Sequence, residues 1–146
     1  MLERMFNRGS IPALEAMVSF ASARHKTVAA NIANADTPGY KVMDVNEGDF
    51  KKAMSRAFKA QNESSQGTWE MERQGSVRPG RFGRALEARP LEAKDTGILK
   101  HIENNVDLEI EMGKMVKNSA MHSLATNLLA HQFNLLREAI SERVNS

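Results

Sequence analysis

The sequence predicts a mostly α-helical protein. N- and C-terminal coiled-coil-like helices pack together, and a variable, partly extended or disordered middle segment joins them. Three observations predict it. Apolar residues near both ends recur at alternating spacings of four and three, the seam of a coiled coil. From Gln61 to about Lys100 that pattern dissolves. The 146-residue chain is 41% apolar but only 5% aromatic, which suits one modest domain with a thin core.

The first helix is expected from Ile11 to Asn34. Ser10 is its candidate N-cap, and Pro12 falls in the first turn, where a missing N–H costs little. Leu14, Val18, Ala21, His25, Val28, Ile32 and Ala35 carry the alternation. Thr37 precedes Pro38 and is pushed out of the α region, so the helix stops before it. Pro38-Gly39 fits the centre of a type II turn, with Gly39 supplying the positive φ.

A second amphipathic helix is expected from Asp49 to Ala60, with Phe50, Ala53, Met54, Ala57 and Phe58 on one face. Gln61–Gly67 reads as a flexible linker. Beyond it come scattered arginines, glycines and prolines. Trp69, Phe82, Leu86, Leu91, Ile98 and Leu99 are candidates for short strands or for a loop that packs on a neighbour.

The last helix starts at Asp107, a capping residue. Glu109 and Glu111 place negative charge in the first turn, where the helix dipole favours it. The alternation then runs through Leu108, Met112, Met115, Ser119, His122, Thr126, Leu129, Phe133, Leu136 and Ile140. Met121, Leu124, Ala125, Leu128 and Leu135 widen the stripe. At ~1.5 Å per residue the two terminal helices span about 37 and 57 Å. Paired antiparallel, the short one leaves roughly 20 Å of the long one uncovered. Burying Leu129, Phe133, Leu136 and Ile140 contributes about 1.5–3 kcal/mol each. Ordering the backbone costs ~1–2 kcal/mol per residue. An isolated pair is marginal, and the stripe reads as a surface completed by other chains.

Composition narrows the function classes. There is no cysteine, which removes disulfides, thiolate metal sites and a cysteine nucleophile. Net charge is only +2, too little to mark a nucleic-acid binder. Arg73, Arg78, Arg81, Arg84 and Arg89 form a basic run, but Phe82 is the one aromatic among them, so a solvated loop or a contact with acidic partners is the better reading. His122 and His131 point to opposite sides of the last helix, and no HExxH, P-loop or GxSxG pattern occurs, which leaves no metal site, cofactor, small-molecule substrate or catalytic constellation to name. The start of the chain has no apolar h-region, so no cleaved signal peptide is expected.

Ala30-Asn31-Ile32-Ala33-Asn34-Ala35-Asp36-Thr37-Pro38-Gly39-Tyr40-Lys41 closely resembles the N-terminal signature of the flagellar rod and hook axial proteins. A second resemblance runs through Asn104-Asn105-Val106-Asp107-Leu108-Glu109-Ile110-Glu111-Met112 into the long helix. The short chain resembles a proximal rod member, because distal rod and hook proteins carry large inserted domains. The resemblance implies a structural subunit and no enzyme. It implies export without a cleaved signal through the flagellar export apparatus, and a place in the periplasmic rod of the basal body. It implies polymerisation into a helical tube that transmits torque and conducts exported subunits. Its partners would be copies of itself, other flagellar rod proteins, and the membrane-ring and rod-adaptor components at the rod base. It further implies that the terminal helices tend to be disordered in the free subunit. A sibling axial protein, or a helical nucleic-acid binder using the arginine loop, remain the alternatives.

The expected divisions are an N-terminal axial helix and turn over 1–41, a variable segment over 42–103, and a C-terminal axial helix over 104–146. Leu14, Val18, Ala21, Val28 and Ile32 are the expected subunit contacts of the first helix. Asn31, Asn34, Asp36, Thr37, Pro38, Gly39 and Tyr40 form the turn motif. Leu108, Met112, Met115, Leu129, Phe133, Leu136 and Ile140 are the expected contacts of the last helix.

Overall fold

A computed structural model describes residues 10–63, 69–80, 86–93 and 104–144. The expectations for residues 1–9, for most of the linker (64–67) and for Arg81, Phe82, Arg84, Ile98 and Leu99 lie outside the described residues. The order of elements is α1 (Ile11–Ala33), β1 (Met43–Asp44), α2 (Glu47–Glu63), β2 (Val77–Pro79), β3 (Leu86–Ala88), β4 (Leu91–Glu92) and α3 (Leu108–Val144).

Helix α1 starts without the expected cap. Ser10 has a helical backbone and makes no side-chain cap bond, and the Leu14 N–H closes the first turn on the Ser10 carbonyl at 2.9 Å. At the other end Asn34 is the C-cap, and its Nδ2 donates back to the Ala30 carbonyl at 2.8 Å. The chain then reverses through Thr37-Pro38-Gly39-Tyr40. The Tyr40 N–H donates to the Thr37 carbonyl, and Gly39 has φ +72°, as a type II turn requires.

Helix α2 begins earlier than its apolar face suggests. Asn46 accepts the N–H groups of Gly48 and Asp49 on its Oδ1, at 2.8 and 3.1 Å, which satisfies two donors left open at a helix start. Phe50, Ala53 and Ala57 are buried. The Phe50 ring stacks on Phe20 of α1 with centroids 4.2 Å apart, and Phe58 meets Trp69 edge-on at 5.1 Å.

The middle of the chain packs on its own helices. β2 pairs antiparallel with β3, and β1 pairs antiparallel with β4. Trp69, Met71, Val77 and Leu86 join Ala13, Ala16, Phe20, Phe50 and Ala53 in one core cluster. Leu91 stays exposed. The turn before β2 needs glycine: Gly75 has φ +53°, and a Cβ there would overlap the Asp49 carboxylate. That carboxylate accepts both the N–H and the hydroxyl of Ser76, at 3.1 and 3.2 Å, and so ties the hairpin to α2.

Helix α3 is capped as expected, with Asp107 Oδ1 accepting the N–H groups of Glu109 and Ile110. It runs antiparallel to α1, the Asn118 Nδ2 donating to the Ala21 carbonyl at 2.8 Å and the Asn31 Nδ2 to the Glu111 carboxylate at 2.8 Å. Continued to the start of α1, this register leaves about 15 residues of α3, some 23 Å, running past Ile11.

Phe20 is fully buried at the centre of the cluster, whereas Phe58 is 42% exposed. Phe20→Ala should therefore destabilise by about 3–5 kcal/mol, and Phe58→Ala by about 1 kcal/mol. Urea denaturation of the two variants checks this; equal losses would contradict the placement of the core.

Candidate functional site

The two signature segments meet. Asn31, in the last turns of α1, is fully buried and has each of its polar positions occupied. Its Nδ2 donates to the Met43 carbonyl at 2.6 Å and to Glu111. Its Oδ1 accepts the Met43 N–H at 3.1 Å and the Tyr40 hydroxyl at 3.0 Å. One amide thus pairs with a strand residue as a backbone would, and also reaches α3. Burial, and then the negative charge of Glu111, raise the Tyr40 hydroxyl above its ordinary pKa, which keeps it a donor.

Asn104 closes the joint from the other side. Its buried Nδ2 lies within 3.0 Å of the carbonyls of Asn34, Ala35 and Thr37, the carbonyls left over where α1 ends. Its Oδ1 accepts the Val106 N–H at 2.7 Å. Asn105 accepts the Val42 N–H at 2.8 Å. A small apolar cluster of Ala35, Val42 and Val106, with Tyr40 against it, fills the space between.

An ion-pair network runs along the same side. Glu111 is 1% exposed, and its charge is met by the Lys114 ammonium at 2.7 Å as well as by Asn31. Glu111 lies in the first turn of α3 as expected, and it is buried there, which a carboxylate tolerates only with such partners. Lys114 also reaches Asp44 at 3.5 Å. Buried Arg24 bridges Asp44 at 3.3 Å and Glu47 at 2.9 Å. Glu47 further meets Lys51 and Lys117. The Lys51 hydrogen bond most of all, against the opposing effect of burial, and then Arg24 and Lys117, hold its carboxyl down at about 2.

The expected contact residues divide between two places. Leu14, Ala21 and Val28 are buried, and the helix-pairing line runs through Ala21. They are assigned inside the chain, not to a neighbour. Val18, Ile32, Met115, Leu129 and Leu136 are half-buried, whereas Leu108, Met112, Phe133 and Ile140 are exposed. The line on α3 that meets α1 is Glu111, Asn118 and Ala125, each buried and seven apart. Met121 lies on the side of that line that packs on the core. Leu108, Met112 and Val116 lie on the other side, and Val116 is 71% exposed. On α1, Ala13, Ala16 and Phe20 face the core, while Val18, His25 and Ile32 lie across the pairing line from them. Both helices therefore turn an apolar flank to the same outer face. Within the turn motif Asn31, Asn34, Thr37 and Tyr40 are engaged in the joint, while Asp36, Pro38 and Gly39 are exposed at its tip.

Sequence reasoning singled out neither Glu111, Asn118 and Ala125 as a line nor Arg24, Asp44 and Lys114 as a network. Their spacing of seven was the available signal for the first. The second links residues far apart in the chain and left none.

A joint of buried amides linking two long helices, beside an apolar outer face, defines a structural protein built for helical packing. Comparison with known proteins agrees. The family model described as Flagella basal body rod protein matches residues 18–41, from the outer flank of α1 through the turn. The flagellar basal body rod protein FlgB of Borrelia hermsii is 34% identical over 116 residues, covering 77% of this chain and 81% of that protein. The chain belongs to the flagellar basal-body rod proteins, and it is a structural rod subunit of that family.

Asn104→Ala removes a donor shared by three carbonyls and should cost about 1–3 kcal/mol. Asn104→Asp keeps the shape but turns a negative oxygen on the same carbonyls, so it should cost more. Chemical denaturation of the two variants checks the order; an aspartate tolerated better than alanine would contradict this geometry.

Proposed function

We propose that this chain polymerises into the proximal rod of the flagellar basal body, forming with its copies part of a helical tube that transmits torque and conducts exported subunits. The observation that carries this reading is the outer face of the α1–α3 pair. Leu108, Met112 and Val116 are exposed there on the side turned away from the chain's own core. Exposed apolar area of this kind is costly in water and favours burial against another chain. Val18, Ile32, Met115, Leu129, Phe133, Leu136 and Ile140 belong to the same surface on this reading. Contacts between unlike surfaces that do not close into a ring generate an open filament.

Rod membership supports the rest of the reading. The N-terminal helix with its turn (1–41) and the C-terminal helix (104–146) form the axial scaffold, and 42–103 is the segment through which members differ. Partners are other rod proteins, the membrane-ring and rod-adaptor components at the rod base, and the export apparatus that delivers the chain without a cleaved signal to the periplasmic rod. The role is mechanical, with no catalysis and no cofactor.

Val116→Asp places a charge on the outer face without touching the core. Cells carrying it should be non-motile and lack assembled rods, while the purified variant keeps the circular dichroism of the unaltered chain. Motile cells would contradict the assignment of this face.

A further inference from the structure

The outer face accounts for one flank of each terminal helix, but α1 has another concavity. On the side of α1 nearly opposite α3, an open groove of about 620 Å³ lies between that helix and the β3–β4 segment. Its floor on α1 is made of small side chains, Ser19, Ser22, Ala23 and Ala30. Lys26 and Arg89 line it as cations and Glu87 as the opposing charge. The chain's own α3 cannot fill it, because α3 is fastened to the far side of α1 through Asn118 and the Ala21 carbonyl.

On α3, a second exposed apolar line is unexplained by the outer face. Leu124, Leu128 and Leu135 are 58%, 44% and 46% exposed. Their spacings of four and seven put them on one side of the helix, on the core side of the pairing line and away from Met112. Two observations match this line to the groove. Ser19 to Ala30 and Leu124 to Leu135 both span eleven residues of helix, about 16 Å each, so anchors and floor have the same length. Glu138, exposed and three residues beyond Leu135, lies on the anchor side and would meet the cations Lys26 and Arg89. Small residues let a second helix approach closely, and leucines at such spacing are the anchors of helix-in-groove docking.

We infer that the groove between α1 and the β3–β4 segment receives the Leu124–Leu128–Leu135 side of α3 from a second copy of this chain. The groove and the leucine side are different surfaces, so each copy offers both and the contact propagates. This rests on the reading that the chain polymerises, and adds which surfaces of two copies touch.

The chain has no cysteine, so an introduced pair reports without background. Ser22→Cys is placed in one full-length preparation. His131→Cys, which lies between Leu128 and Leu135 on the same side and leaves the leucines intact, is placed in a second, mass-tagged one. The two are mixed at a concentration where sedimentation detects polymer, and then oxidised. The expected result is a mixed disulfide at about tenfold or more the yield given by Ser22→Cys with Ser119→Cys on the outer face. Polymer with equal yields from both pairs would overturn the groove contact and leave polymerisation standing. Absence of any polymer would overturn both.

Discussion

The structure depends on the burial of two asparagine amides. Asn31 and Asn104 are fully buried, where polar atoms need partners, and the partners they find lie on different segments. Asn31 fastens the end of α1 to Met43 and Glu111. Asn104 fastens the start of α3 to the carbonyls left open by the end of α1. An apolar joint could slide by a turn at small cost. An amide shared among fixed backbone carbonyls cannot, so the register of the two long helices is set here. From that register follow both the line that pairs them and the apolar flanks that pairing leaves outside.

Much of this was legible in sequence. Both long helices, the stop before Pro38 and the cap at Asp107 stand where period and turn chemistry put them. The division of the apolar stripe did not show, for a physical reason. Alternating spacings of four and three interleave two lines of period seven. On α1 one line is Leu14, Ala21 and Val28, buried within the chain; the other is Val18, His25 and Ile32, on the outer flank. On α3 Met112, Ser119 and Thr126 face outward and Met115 and His122 lie beside the helix partner, while Leu129, Phe133, Leu136 and Ile140 lie at or past its end. Periodicity reports that a face is apolar, not which chain covers it. The residues that do meet α1, Glu111 and Asn118, are polar and so fell outside an apolar count.

The strands were less legible still. Two or three residues of strand hold too few positions to show a period of two, and β1 and β4 pair across nearly fifty residues of chain. Helix α2 hid its start because Gly48 is a poor helix former, and the cap that compensates, Asn46, lies before the apolar face begins. Leu86 and Trp69, candidates for short strands or for a loop on a neighbour, both complete the chain's own core, Leu86 from the short strand β3. The described part of the middle segment therefore braces α1 from the side opposite the outer face.

Amide hydrogen exchange of the free chain tests the central claim most directly. The N–H groups of Val42, Met43 and Val106 are held by the side chains of Asn105, Asn31 and Asn104. They should exchange as slowly as amides in the middle of α1, while those of α3 beyond Leu129 exchange fast until copies assemble. Joint amides that exchange as fast as the free end of α3 would contradict the account.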